Sequence, residues 1–217
     1  MPVAYHPDFG QAVTYNFEAI PEDPDTQVRL AVQRIVGFIL EDLDCPFIQK
    51  QAALLKGGDP IRSVWEHVKP HIRFRQDTDI AEDLQTNDPR KHNIVETLIR
   101  PSDQARLIQT RGRGVEDCDG FTGYGACLLT ALSIPCTLAT VAAEEERPNE
   151  FTHIYVVAYH NGKRIPMDMS HGPRPGWECP HTRIKEWPVS WGTLQSSLWP
   201  VLLLAALGWF ALKEMIR

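Results

Sequence analysis

Apolar residues in the first third of the chain recur every three or four positions, which is the period of an amphipathic helix. This spacing predicts one helix from Thr26 to Leu43. A second helix is predicted after Asp59 and Pro60, which supply an N-cap and a first-turn proline. The apolar positions are Val28, Val32, Ile35, Val36, Ile39, Leu40 and Leu43 in the first helix, and Ile61, Val64, Trp65 and Val68 in the second.

A hairpin is predicted further along the chain. The segment from Phe151 to Tyr159 is rich in β-branched and aromatic residues, and Asn161-Gly162 after it is a strong signal for a two-residue turn. A partner strand is predicted from Lys163 to Ser170. With this turn, His153 and Asp168 fall on one face as diagonal neighbours, about 7 Å apart between backbones. A three-residue loop would send them to opposite faces.

Between these regions, residues 120–133 are predicted to form a helix that begins beside Cys118, with Asp117 placed to cap it. The unpaired N–H groups and the positive end of the helix dipole at such a position favour a thiolate and can hold an oxyanion. Cys127 and Cys136 lie among apolar neighbours and fit a structural role better. Cys118 is therefore the candidate nucleophile.

The downstream histidine and aspartate complete a candidate triad. His153 is placed to act as the general base that takes the thiol proton, and Asp168 to accept the imidazole N–H and fix its orientation. The predicted catalytic residues are Cys118, His153 and Asp168.

Several short motifs resemble the transglutaminase-like (papain-like) superfamily of cysteine hydrolases, and look closest to its bacterial and prophage-encoded members. The resemblance covers about residues 27–176 and keeps the family order of cysteine, histidine and aspartate. Glu116 stands where the family usually has glycine, and Gly120 where an acidic or small polar residue is common. The matching motifs are Asp117-Cys118-Asp119-Gly120, Ala131 to Pro135, Thr137 to Val141, Thr152 to Val156 and Pro166-Met167-Asp168, with Val64 to Phe74 upstream.

The resemblance implies an α+β fold in which the nucleophile helix packs on an antiparallel sheet. It also implies a thiol enzyme that acts on amide bonds of a protein or peptide. The reaction is either hydrolysis or acyl transfer from glutamine to an amine, and the resemblance does not choose between them. A non-catalytic phage or virion assembly module of the same shape is the alternative.

A metal site is the chief chemical competitor. His171, Cys179 and His181 lie close in sequence, and Cys118 or His153 would bring the set to four ligands. The spacing matches no zinc motif, and the three prolines in this segment favour a loop that wraps the domain. Neither a metal nor a cofactor is expected.

Two acidic segments are expected to be solvated. Residues 76–93 are polar and turn-rich, and their carboxylates lack the spacing of a calcium loop. Residues 144–146 are three glutamates just before the histidine strand, and a sharper interpretation makes them a rim that selects basic substrates. The carboxylates of the first segment are Asp77, Asp79, Glu82 and Asp83.

The chain ends in an apolar tail. Residues 187–212 include 26 positions without a charge, about 39 Å as a helix against about 30 Å of bilayer hydrocarbon. Trp191 and Trp209 suit the two interfaces. Membrane attachment is expected, although a helix docked on the domain or an oligomer contact would also explain the pattern. No secretory signal is evident, so the catalytic domain is expected on the cytoplasmic side, or else in a virion.

Length and net charge bear on the number of domains and on the class of partner. The 217 residues, 43% of them hydrophobic, suit one modest domain with appendages. The predicted divisions are an extended arm at 1–25, a catalytic domain at 26–186 and the tail at 187–217. A net charge of −6 argues against a nucleic-acid surface.

Overall fold

A computed structural model describes residues 3–6, 11–19, 23–83 and 95–190, with only the backbone given for 3–6, 11–19, 81–83 and 95–96. The helices are α1 (Pro24–Asp42), α2 (Pro46–Leu54), α3 (Pro60–His71), α4 (Asp77–Asp83), α5 (Pro101–Arg111) and α6 (Cys118–Ala131). The strands are β1 (Val3–His6), β2 (Gln11–Ala19), β3 (Ile72–Phe74), β4 (Val95–Ile99), β5 (Gly114–Glu116), β6 (Cys136–Val141), β7 (His153–His160), β8 (Lys163–Met167) and β9 (Ile184–Pro188).

The fold is α+β, with helices packed on an antiparallel sheet of order β8-β7-β6-β9. Strands β1, β2 and β4 form a second antiparallel sheet, and β3 pairs with β5 in parallel. The expected α+β class with an antiparallel sheet is thus confirmed, whereas the predicted apolar helix after residue 190 lies outside the described residues.

Helix α6 lies at the centre of the core. It packs against α1 and α3 on one side and against β7 on the other, and residues 120–129 are all buried. A helix that is apolar nearly all round is stable only inside a protein. Gly125 permits close packing against Met169, because a Cβ there would lie 2.1 Å from the Met169 side-chain methyl.

The predictions for α1 and α3 are confirmed. Helix α1 begins at Pro24, where the Asp23 side chain accepts the Thr26 N–H at 3.1 Å. Helix α3 begins at Pro60 and is capped by Asp59. The buried positions of these helices include Val32, Ile35, Val36 and Ile39 in α1 and Ile61, Val64, Trp65 and Val68 in α3.

The hairpin turn is also confirmed. His160 pairs with Lys163, so Asn161 and Gly162 are the two loop residues. Both have positive φ, 52° and 71°, as a type I′ turn requires. Strand β8 ends at Met167 rather than Ser170, which leaves Asp168 just beyond the ladder.

The loop prediction for residues 76–93 is wrong in its first half. Residues 77–83 form α4, and its Ile80 side chain is buried in the core. Asp77 is shielded while Asp79 is exposed, so the acidic residues do not share one solvated surface. Residues 84–94 lie outside the described part.

Both ends of the chain join sheets where they are described, and strands β1 and β2 are extended like the predicted arm at 1–25. Strand β2 pairs with β4, for example Tyr15 with Ile99. At the other end Trp187 and Pro188 belong to β9, where Trp187 pairs with Leu138 and its Nε1–H donates to Thr140 Oγ1 at 3.0 Å. The predicted membrane segment otherwise falls on 191–217, outside the described residues. Among the helices that are described, none is both long and apolar enough to cross a bilayer.

Candidate active site

Cys118 is the first residue of α6, as predicted. The chain reaches it from β5, and Asp117 caps the helix by accepting the Asp119 N–H at 2.9 Å. That N–H group is therefore already used, and an oxyanion would have to rely on other donors of the first turn. The thiol itself donates to Asp119 Oδ1 at 3.7 Å.

His153 and Asp168 meet directly. His153 Nε2 lies 2.9 Å from Asp168 Oδ2, and the Asp168 side chain is fully buried. Asp168 Oδ1 accepts from Ser170 Oγ at 2.9 Å and from the His171 backbone N–H at 3.0 Å. Burial by itself would raise the pKa of Asp168, but the hydrogen bond and charge of His153 and these two further bonds hold it below its ordinary value.

This bond fixes the useful tautomer of His153. An ionised carboxylate only accepts hydrogen bonds, so neutral His153 must carry its proton on Nε2. The lone pair then stands on Nδ1, where it can take a proton from a thiol.

Cys118 and His153 line one cavity of about 290 Å³. The structure thus brings all three predicted residues to one region, two as a hydrogen-bonded pair and two on a common cavity. The other walls come from the start of α1, including Gln27 and Val28, and from residues 147–152.

A group of carboxyls beside Cys118 was missed at the sequence level. Ligand oxygens of Asp77, Glu116 and Asp117 lie within 4.8 Å of one another. Burial, reinforced by the neighbouring carboxylates, raises the pKa of Asp77 to about 10 and moves the pKa of Glu116 and Asp117 well above the ordinary range. A carboxyl whose pKa is raised carries less negative charge at a given pH, so this group opposes a nearby thiolate less than three ordinary carboxylates would.

Glu116 and Gly120 pack against each other at the start of α6. Glu116 Oε1 accepts the Ile99 N–H at 2.6 Å and its Oε2 accepts the Asp117 N–H at 3.3 Å. A Cβ at Gly120 would lie 1.5 Å from Glu116 Cγ. The glycine therefore makes room for the buried glutamate.

His171, which the sequence analysis considered only as a metal ligand, lies beside the proposed triad. Its ring stands edge-on to His153, with centroids 4.9 Å apart and planes at 86°. The Phe74 ring lies 5.1 Å from the His171 ring, and 6.4 Å from the Phe121 ring of α6. The closeness of His171 to Asp168 in sequence, and its place in the alternative ligand set with His153, were the available signals.

The alternative ligand set of His171, Cys179 and His181 does not form in the described residues. No described group of three ligand atoms within 4.8 Å includes Cys179 or His181. Cys179 instead packs beside the cluster that contains Tyr155 and Val157.

Three of the four other thiols have a raised pKa. Burial moves the pKa of Cys127 well above the ordinary range and raises the pKa of Cys136 to about 11. Burial also raises the pKa of Cys179, with Asp168 and Glu178 adding to the effect. A raised pKa leaves less of the reactive thiolate, so these three thiols are expected to react slowly.

No protein-family model matches the chain, and no curated protein matches its sequence. A solved structure that resembles it is that of a candidate cysteine protease from Cytophaga hutchinsonii, with 20% identity and a TM-score of 0.40. The similar region covers 72% of this chain and 49% of the other, so the chain spans about half the length of that protein. A likeness of this degree carries no argument about activity, and the chemistry rests on the geometry of the site.

Proposed function

We propose that this protein is a transglutaminase-like cysteine hydrolase that acts on amide bonds of a protein or peptide through Cys118, His153 and Asp168. The observation that carries the proposal is the 2.9 Å bond from His153 to a fully buried Asp168, on a cavity that also holds Cys118. A structural scaffold has no need for an oriented imidazole beside a thiol at a helix start.

In the proposed reaction, Cys118 transfers its thiol proton to His153 Nδ1, and the thiolate attacks the carbonyl carbon of the amide. Asp168 stabilises the imidazolium that forms. The C–N bond then breaks, and the leaving nitrogen takes the proton from His153. A thioester on Cys118 remains, which either water hydrolyses or an amine converts to a new amide.

The rim of the cavity carries both signs of charge. Arg147 lies on the cavity wall with Glu150, and its Nη2 pairs with Glu144 Oε2 at 2.6 Å. Arg147 therefore offsets part of the negative charge of the acidic segment at residues 144–146. We propose that the substrate segment near this rim carries both acidic and basic residues, whereas the three glutamates alone predicted a basic segment.

Attachment to a membrane is part of the proposal, through the part of residues 187–217 that follows β9, and it rests on sequence composition. Removing residues 191–217, which begin after β9, tests it. The shortened protein should lose its partition into detergent or membranes while keeping thiol reactivity. Equal partition of both forms in a phase-separation assay would remove this part of the proposal.

An electrophilic thiol probe tests the catalytic part. At neutral pH the probe should label Cys118 selectively in the folded protein, and mass spectrometry of incubated peptide mixtures should show cleaved or joined products. Cys118→Ala should abolish both signals, whereas the matched control Cys179→Ala should abolish neither. A wild-type protein that is folded but neither labels at Cys118 nor turns over any amide would favour the non-catalytic assembly module.

A further inference from the structure

His171 extends the proposed His153–Asp168 pair into a cluster of two histidines and a carboxylate. One ring nitrogen of His153, one of His171 and an oxygen of Asp168 all lie within 4.8 Å of one another. Asp168 is fully buried, the His153 side chain is 9% exposed and His171 is exposed, so an ion from solvent would approach past the two rings. Two imidazoles and one carboxylate are a donor set that suits Zn²⁺, with solvent completing the tetrahedron.

The hydrogen bonds behind these side chains prepare them as ligands. Ser170 Oγ lies 2.9 Å from both Asp168 Oδ1 and His171 Nδ1. A carboxylate cannot donate, so the single hydroxyl proton goes to Asp168, and Ser170 Oγ accepts from His171 Nδ1–H. Neutral His171 then carries its lone pair on Nε2. Outer hydrogen bonds of this kind orient metal ligands and fix their tautomers.

The bonds of the carboxylate leave one of its oxygens for a cation. Asp168 Oδ1 is held by Ser170 Oγ and the His171 backbone N–H, whereas Oδ2 meets only the His153 ring among these groups. Lys69 is the opposing charge, and its ammonium donates to the Met169 carbonyl at 3.3 Å.

We propose that His153, Asp168 and His171 form an inhibitory site for a transition-metal dication of the Zn²⁺ type. The ion enters between His153 Nε2 and Asp168 Oδ2, which now share a hydrogen bond. The proton on Nε2 moves to Nδ1, so the ligand stays neutral and no redox step occurs. With Nδ1 protonated, His153 has no lone pair to take the Cys118 proton. Binding rests on this geometry alone, while the loss of turnover rests on the proposed function.

The first experiment measures binding without catalysis. Full-length Cys118→Ala protein is titrated with Zn²⁺ by calorimetry and with Co²⁺ by visible absorption. Saturable binding and a tetrahedral cobalt spectrum without a thiolate charge-transfer band are expected. Loss of binding in Cys118→Ala, or a thiolate band in the wild type, would place the metal on Cys118 and overturn the proposal.

The second experiment uses matched histidines. His171→Ala and His171→Gln should each weaken Zn²⁺ binding by about 100-fold, and Ser170→Ala by about 10-fold. His181→Ala is the control, since His181 is also exposed and belongs to the alternative set that the structure does not form. Equal weakening of Zn²⁺ binding in the His171 and His181 variants would overturn the proposal of this site.

The third measurement separates the two proposals. Zn²⁺ should inhibit amide turnover in the wild type, a chelator should restore it, and His171→Gln should need about 100-fold more Zn²⁺ relative to its own metal-free rate. Zinc binding with no turnover under any condition leaves the site standing and defeats the proposed function. Turnover with equal zinc sensitivity in wild type and His171→Gln defeats the site and leaves the function standing.

Discussion

Helix α6 carries one cysteine in its first turn and one in its middle, nine positions apart. The two thiols differ in burial and in the groups that surround them. Cys118 is half-buried on a cavity with His153. Cys127 is fully buried, and its pKa is raised by burial. The comparison teaches that position along the helix, together with the elements packed on it, decides whether a thiol can act as a nucleophile.

The largest expected effect is on amide turnover, when each of the two cysteines is replaced by alanine in a separate variant. Cys118→Ala should reduce amide turnover by roughly 10⁴-fold or more, because the bond-forming atom is lost. Cys127→Ala should leave turnover intact and lower the free energy of unfolding by about 1 kcal/mol, since it removes one buried sulfur. Steady-state kinetics and denaturant unfolding measure the pair. Comparable losses of turnover in both variants would erase the distinction.

The next largest loss of turnover is expected when His153 or Asp168 is replaced, since both are proposed to serve Cys118 and not Cys127. His153→Ala should approach the loss seen in Cys118→Ala, whereas Asp168→Asn should leave a weak residual rate, up to about 10⁴-fold below wild type. The asparagine can still accept a hydrogen bond, but it does not stabilise the imidazolium. Rates are compared after circular dichroism shows that each variant is folded. A fully active Asp168→Asn variant would contradict the role of Asp168.

A double-mutant cycle tests the packing of the first turn. Gly120→Ala should cost about 1–3 kcal/mol in the wild type, because the new methyl group overlaps Glu116 Cγ. In a Glu116→Gly background the same change should cost much less. Urea unfolding of the four proteins gives the coupling energy. Additive costs would show that Glu116 and Gly120 do not compensate for each other.

The last effect is a pH dependence of stability from the carboxyls beside Cys118, and it is a gradual one. The folded-state pKa of Asp77 is raised to about 10 from an ordinary value of 3.8. Between these values the folded state binds more protons than the unfolded state, so stability should fall as the pH rises, by at most about 1.4 kcal/mol per pH unit for one proton. Asp77→Asn should flatten this slope, whereas the exposed control Asp79→Asn should not. Unfolding curves between pH 5 and pH 9 that match for wild type and Asp77→Asn would contradict the raised pKa.

Local patterns were sufficient where a residue's role depends on its near neighbours. The cap and start of α6, the helices α1 and α3, and the two-residue turn at Asn161-Gly162 all follow from spacing and turn chemistry, and the structure confirms them. The same register argument placed His153 and Asp168 on one face, which agrees with their 2.9 Å contact. Their catalytic role, like that of Cys118, stays a prediction.

What the sequence could not supply is contact between segments distant in the chain. Asp77 looked solvated because its neighbours are polar, yet folding brings its carboxyl close to Glu116, 39 positions away. The packing of Phe74 against His171 and the pairing of β9 with β6 were hidden for the same reason. Sequence alone determined the local geometry of the candidate site, since caps, turns and alternation act over a few residues. The tertiary structure decided its electrostatics, because burial and charge proximity depend on which segments pack together.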